Sequence, residues 1–145
     1  MVRSDLLRLR QGRLRPGRLD PTIEFLTVYF GAAWREPCRL FVPELKSAYV
    51  DIRQAPRRVE IVFVSDDASP SAMTDYVIQS RMPWLCLPHE TSQRTSRIQP
   101  LRGMALPCLV VLDRRGRTLV NSWARPGDSR PHAALAELRE IAQSS

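Results

Sequence analysis

The sequence predicts an α/β domain with a central mixed β-sheet, an N-terminal hairpin and helices on both faces. Three apolar runs, at residues 23–30, 59–65 and 108–113, have the composition of buried strands. Segments with helical spacing follow the first two runs and close the chain. Because 145 residues without a linker or an internal repeat suit one core, a single domain over 1–145 is predicted.

The first element is a hairpin over residues 4–15. Apolar and basic side chains alternate there, and Gln11-Gly12 suits the turn. The core strand at 23–30 follows, and small residues at 31–33 lead into a helix predicted from Glu36 to Arg53. Pro43 falls inside this helix, where it removes a backbone hydrogen bond. Cys38 lies in its first turn, where amide groups and the helix dipole favour a thiolate, whereas burial in apolar surroundings opposes this and favours an inert, structural cysteine.

The middle of the chain contains a second strand and helix. The run at 59–65 is almost continuously apolar, which is typical of an interior parallel strand. Ser69 can cap the next helix and Pro70 suits its first position. Residues 82–88 contain too many prolines for a regular element, and the polar segment 89–100 is predicted to be a loop with at most a weak helix.

The end of the chain predicts a hairpin and a helix. A strand over 108–113 is followed by a turn in which Gly116 supplies a positive φ, and residues 118–122 return as the second strand. An amphipathic helix then closes the chain over residues 131–142.

The composition and charge restrict the partners. The formal net charge is +7, and Lys46 is the only lysine among 22 basic residues. The positive surface favours acidic partners. Six arginines fall within the first 18 residues, and we expect a solvated strand face there rather than a nucleic-acid site, since no aromatic residues are interleaved. They are Arg3, Arg8, Arg10, Arg13, Arg15 and Arg18.

The location of the protein is predicted from its cysteines and its apolar runs. No run approaches the ~20 residues that a membrane-spanning helix needs. Asp5 and the strand-like alternation argue against a mitochondrial presequence. Cys38, Cys86 and Cys108 are odd in number and widely spaced, so a reducing compartment, the cytoplasm, is expected. A monomer is expected, with no metal and no cofactor.

Four stretches carry a family resemblance. Residues 34–43 read WREPCRLFVP and match six of the eight specified positions in the pattern W-C-P-P-C-R-x-F-x-P. The stretches VEIVFVSDD (59–67) and MPWLCLP (82–88) and the dipeptide Leu106-Pro107 agree in the same order. On these motifs the chain resembles the thioredoxin superfamily, within it the tryparedoxin/nucleoredoxin branch. The resemblance implies a thioredoxin-like fold with a cis bond before Pro107.

The resemblance also implies the chemistry of the motif. In the family the first cysteine is the nucleophile and the second resolves the mixed disulfide. Here Arg35 stands at the nucleophile position and Cys38 at the resolving position. Active members use low-molecular-weight dithiols such as trypanothione, and peroxidases, as partners. The residues implied to contact a partner are Trp34, Arg35, Glu36, Pro37, Leu106 and Pro107.

Two functions of different classes remain open. In the first, the protein binds a protein partner on the former redox face without dithiol exchange. In the second, it is an oxidoreductase that works through Cys38 alone or with Cys108. Arg35 is either a surface residue or a reader of carboxylates and phosphates.

Overall fold

The computed structural model describes residues 6–94, 106–122 and 130–144. The described residues form seven strands and four helices. In chain order they are β1 (Leu6–Arg10), β2 (Arg13–Gly17), β3 (Phe25–Gly31), α1 (Glu36–Gln54), β4 (Val59–Ser65), α2 (Pro70–Ser80), β5 (Leu85–Cys86), α3 (His89–Arg94), β6 (Cys108–Asp113), β7 (Thr118–Asn121) and α4 (Pro131–Gln143).

The seven strands form one mixed sheet in the order β2-β1-β5-β4-β3-β6-β7. Strand β4 is parallel to both of its neighbours, β3 and β5, while β6 is antiparallel to β3. Every residue of β4 is buried, as the continuous apolar run predicts. The α/β class with a mixed sheet is therefore confirmed.

The N-terminal hairpin is also confirmed. Strands β1 and β2 pair in antiparallel register around Gln11 and Gly12, whose φ angles are 52° and 76°. Glycine adopts this left-handed region without steric cost, which explains its place in a two-residue turn. The second strand ends at Gly17, later than predicted, and β1 joins the rest of the sheet through Leu7 and Cys86.

The segment from 82 to 88 departs from the prediction. Leu85 and Cys86 form the short strand β5, although prolines surround them. They pair with Val62 and Phe63 of β4. Pairing with neighbouring strands therefore outweighs the preference of this proline-rich segment for irregular structure. The six-residue helix α3 follows, and residues 95–100 of the predicted loop lie outside the described residues.

Helices α1 and α2 begin as predicted. Ser69 caps α2, because its hydroxyl accepts a hydrogen bond of 3.1 Å from the amide of Ala72. Pro43 is exposed inside the 19-residue α1 and lies away from the buried face of that helix. No described helix combines the length and the apolar character needed to span a membrane.

The core has two clusters on opposite faces of the sheet. Alternate residues of β3 divide between them: Tyr29 belongs to the first, while Val28 and Phe30 belong to the second. Helices α1, α2 and α4 all supply side chains to the first cluster. The second contains both Cys38 and Cys108, so the fold brings these two thiols into one region.

Candidate functional site

The candidate site lies where β3 turns into α1. Strand β3 ends at Gly31, which is aligned with Ser65 at the end of the parallel strand β4. The carboxyl ends of the two strands therefore meet at one edge of the sheet, the usual place for sites in this class of fold. The loop after β4 lies beside the turn, and the amide of Asp66 donates to the carbonyl of Gly31 at 2.9 Å.

The buried carboxylate of Asp67 fixes the turn. One of its oxygens accepts a hydrogen bond of 2.9 Å from the amide of Ala33, and the other accepts one of 2.6 Å from the hydroxyl of Ser65. The Asp67 amide in turn donates to that hydroxyl. The Asp67 side chain thus connects two loops. The sequence pattern VSDD alone does not predict this role.

Trp34 and Arg35 form an aromatic and cationic surface beside the helix. The Trp34 side chain is 59% exposed, yet its indole nitrogen donates to the carbonyl of Asp66 at 3.0 Å. The guanidinium carbon of Arg35 lies 5.8 Å from the centre of the Trp34 ring, within the range of a cation–π contact. The ring is therefore held in place while most of it faces solvent.

Arg35 occupies the N-cap position of α1, but its side chain forms no capping hydrogen bond with the helix. Its carbonyl oxygen accepts hydrogen bonds from the amides of Cys38 and Arg39, at 3.0 and 3.3 Å. Glu36 and Pro37 are exposed in the first turn, where a carboxylate interacts favourably with the helix dipole. Position 35, where the family resemblance implies a nucleophile, is thus half-buried and belongs to a regular helix start.

Cys38 is completely buried, with no exposed surface. Burial raises the pKa of its thiol above the ordinary value of 9.0, and the charges of Asp67 and Asp66 act in the same direction. A hydrogen bond involving the backbone of Ala32 and the charge of Arg35 lower the pKa, but burial is the largest effect. Burial therefore outweighs the charge of Arg35, and the pKa of the thiol stays above its ordinary value.

Two tyrosine hydroxyls lie beneath the turn. Tyr29 and Tyr76 are both buried, and their hydroxyl oxygens lie 3.4 Å apart. Burial raises the pKa of Tyr76 to about 12 and also raises that of Tyr29. Neither group can accept a proton at neutral pH.

The remaining sequence-predicted residues are buried. The Leu106–Pro107 bond is cis, the isomer that the resemblance implies, and both residues are buried. The residues predicted to contact a partner therefore fall into two groups. Those at the start of α1 are exposed or half-buried, and the two before β6 are buried. All three cysteines are free. Burial raises the pKa of the Cys86 thiol to about 12, and Cys108 is also fully buried.

The two histidines have structural partners. His89 donates from Nε2 to the carbonyl oxygen of Asp67 at 2.7 Å. His132 lies 2.6 Å from a carboxylate oxygen of Glu44, and so links α4 to α1. Within the described residues, no group of three or more His, Cys, Asp and Glu side chains has the arrangement of a metal site.

Comparison with known proteins adds to this geometry. The family model described as Thioredoxin-like matches residues 24–118, which is most of the chain. Tryparedoxin from Trypanosoma brucei brucei is 30% identical over 117 residues, covering 80% of this chain and 78% of that protein. The chain belongs to the thioredoxin-like family. Within it, this domain falls in the tryparedoxin/nucleoredoxin branch, whose members indicate a redox-related function.

Nucleoredoxins also match the chain, and solved structures match its fold. Nucleoredoxin from Bos taurus is 40% identical over 120 residues, which is 82% of this chain but 27% of that protein. The domain thus spans about a quarter of the length of the nucleoredoxins that it matches. The structure of tryparedoxin from Trypanosoma brucei superimposes with a TM-score of 0.69 at 22% identity, covering 99% of this chain and 91% of that one.

Proposed function

We propose that this thioredoxin-like domain binds protein partners through the surface around Trp34 and Arg35 and does not carry out dithiol–disulfide exchange. The observation that supports the proposal is a fully buried Cys38 together with an arginine, not a second cysteine, at position 35, where the family resemblance implies a nucleophile. A guanidinium forms neither a thiolate nor a disulfide. A mixed disulfide on Cys38 would have no second thiol in the motif to resolve it.

The chemistry of the surface indicates the kind of partner. An aromatic ring next to an arginine is the combination that dominates the energetics of many protein interfaces. Arg35 offers a planar set of donors that matches a carboxylate, and the net charge of +7 attracts acidic proteins. We therefore propose a partner with an acidic side chain next to an apolar one. The binding requires no metal and no cofactor, and three free thiols fit a reducing compartment such as the cytoplasm.

A second candidate is a thiol–disulfide oxidoreductase that works through Cys38, alone or with Cys108. The observation in its favour is that both thiols belong to the same core cluster. A low-molecular-weight dithiol such as trypanothione would then be the reductant. This mechanism requires the turn to open, because neither cysteine has exposed surface in the folded state.

The two candidates are separated by a disulfide-reduction assay with a small dithiol as reductant. We expect the wild type to reduce protein disulfides no faster than the dithiol does alone. Turnover that Cys38→Ser abolishes would overturn the binding proposal. Loss of that turnover in Cys108→Ser as well would support a displaced pair of cysteines.

The partner surface is tested separately by site-specific photo-cross-linking. A photoreactive amino acid at position 34 should give discrete adducts with proteins of the native cell, and Arg35→Glu should weaken them by reversing the charge beside the probe. The matched control carries the same amino acid at Leu119, another exposed apolar residue, which is 46% exposed. The same adducts from position 119 would contradict a specific surface at the start of α1.

A further inference from the structure

The register of the N-terminal hairpin places four arginines on one face. Arg8 is paired with Arg15, and Arg10 with Arg13. Residues directly opposite each other share a face, as do alternate residues of one strand. The leucines between them, Leu7, Leu9 and Leu14, pack against the first core cluster, so the opposite face carries the arginines. We call Arg8, Arg10, Arg13 and Arg15 the arginine face.

Three members of the arginine face are available to a ligand. Arg8 already binds other residues of the protein, since it donates to the carbonyl of Pro83 at 2.9 Å and to the buried carboxylate of Glu60 at 3.2 Å. Arg10, Arg13 and Arg15 are exposed, and among the described residues none has an ion pair. Along β2 the Cα atoms of Arg13 and Arg15 are about 6.8 Å apart. Within the part of the chain that the structure describes, the face therefore presents three exposed charges without an ion-pair partner.

The arginine face lacks the features of a protein-binding surface. The large exposed apolar side chains of the described chain are Trp34, Leu40, Val50 and Leu119, and none of them lies in the hairpin. Protein interfaces depend on such anchors for most of their binding energy. Strand addition at the β2 edge is also hindered, because Pro16 has no backbone N–H.

The same face lacks the features of a single-strand binder. Proteins that bind single-stranded nucleic acid stack the bases on aromatic side chains. Residues 6–18 contain none. A duplex keeps its bases stacked internally and presents only its phosphates, for which arginine charges are sufficient. We propose that the arginine face binds the phosphate backbone of double-stranded nucleic acid without sequence preference.

This inference goes beyond the expectation of a solvated strand face. Alternation of leucine and arginine places the arginines of each strand on one face. The register adds that the arginines of the two strands lie opposite each other, and the half-buried leucines pack the hairpin against the first core cluster. The proposal is independent of the surface at Trp34 and Arg35.

The test is the salt dependence of binding to a fluorescent duplex DNA of about 20 base pairs, measured by anisotropy on the full chain. Three arginines that neutralise phosphates give a slope of log Kobs against log salt of about −2.7. Affinity should therefore fall about 40-fold between roughly 50 and 200 mM salt. The triple variant R10Q/R13Q/R15Q should lose most of this slope, since each removed contact subtracts about 0.9.

The matched control is R114Q/R115Q/R117Q, which removes the same charge from the β6–β7 turn at the opposite edge of the sheet. This variant should bind nearly as well as the wild type. An equal loss in both triple variants would mean that net charge alone drives binding and would overturn the proposal. If R10Q/R13Q/R15Q fails to fold, as judged by circular dichroism, Arg13→Gln alone should still reduce the slope by about 0.9.

Two further probes separate the classes of ligand. A single strand of the same length should bind more weakly than the duplex, and poly-glutamate of the same charge should bind more weakly still. Tighter binding of poly-glutamate would assign the arginine face to an acidic protein and contradict the proposal. Tighter binding of the single strand would contradict it as well, because the face has no aromatic residue on which to stack bases.

Discussion

The backbone amide of Cys38 donates a hydrogen bond of 3.0 Å to the carbonyl oxygen of Arg35. The two residues therefore lie on one turn at the start of α1, and residues three apart in a helix are neighbours on its surface. The side chain at position 35 is half-buried while that of Cys38 is buried. A side chain at position 35 therefore lies closer to solvent than the thiol of Cys38.

We expect Arg35→Cys to create a pair that forms a disulfide with Cys38. Two cysteines separated by two residues at a helix start can reach the spacing that a bridge requires. The new thiol would lie nearer the helix end and be less buried than Cys38, so its pKa should fall below the ~8.5 of a free cysteine. Thiol titration before and after mild oxidation, with mass spectrometry to locate the bridge, checks this.

The neighbouring residue Glu36 provides a graded control for that variant. A carboxylate beside a thiolate raises the pKa of the thiol, so Arg35→Cys with Glu36→Pro should be the better reductant. Two free thiols after oxidation that converts an ordinary thioredoxin to its disulfide would show that the turn does not allow the bridge.

We expect Gly31→Ala to destabilise the fold by about 1–3 kcal/mol. A Cβ atom at Gly31 would lie 2.6 Å from the hydroxyl oxygen of the buried Tyr29 and 2.8 Å from its Cζ. Because Tyr29→Phe removes the nearest of these atoms but not the ring, Gly31→Ala should cost less in that background, without becoming neutral. Urea unfolding of the two single variants and the double variant measures the coupling. Strict additivity would show that the clash is relieved elsewhere.

We expect Asp67→Ala to destabilise the domain by about 2–3 kcal/mol and to speed the labelling of Cys38. The substitution removes the acceptor of the Ala33 amide and of the Ser65 hydroxyl, and both donors lie in buried or half-buried surroundings. Asp67→Asn keeps an oxygen for the Ala33 amide and should cost roughly half as much. The measurements are chemical unfolding and the rate of alkylation. Unchanged alkylation in Asp67→Ala would mean that the carboxylate does not hold the turn closed.

We expect the stability to fall as the pH rises above about 9, and Cys86 to be a main cause. The pKa of its thiol rises from 9.0 to about 12 in the folded protein, so between these values the unfolded chain binds fewer protons than the folded one. The free energy of unfolding should then fall by up to about 1.4 kcal/mol per pH unit from this residue. Below pH 9 the contribution is fully retained.

The variant Cys86→Ala tests this assignment by chemical unfolding between about pH 8 and pH 10. It should be less sensitive to pH than the wild type. Tyr49→Phe is the matched control, because the Tyr49 pKa rises from 10.0 to about 12 and so affects stability only above that range. An unchanged slope in Cys86→Ala would assign the alkaline loss to other groups.

Strand β4 shows how far local composition can predict this fold. Its bounds, Val59–Ser65, are those expected from a run that is almost continuously apolar, with Glu60 and Ser65 as polar exceptions, because a strand buried on both faces carries apolar residues at most positions. Ser69 and Pro70 likewise predicted the start of α2, since a cap and a first-turn proline act through adjacent backbone groups. Strand β5 gave no such signal, because its hydrogen bonds come from strands distant in sequence.

By itself, the sequence of this thioredoxin-like domain predicted that Cys38 lies at a helix start, three residues after Arg35, the position at which the family resemblance implies a nucleophile. Only the tertiary structure decided the state of that thiol. The helix dipole and the Arg35 charge are local and favour a thiolate, whereas desolvation depends on the strands and side chains that surround Cys38. Desolvation is the larger effect and cannot be read from neighbouring residues. The arrangement of the arginine face also required the tertiary structure, because the register depends on how two strands pair and not on either strand alone.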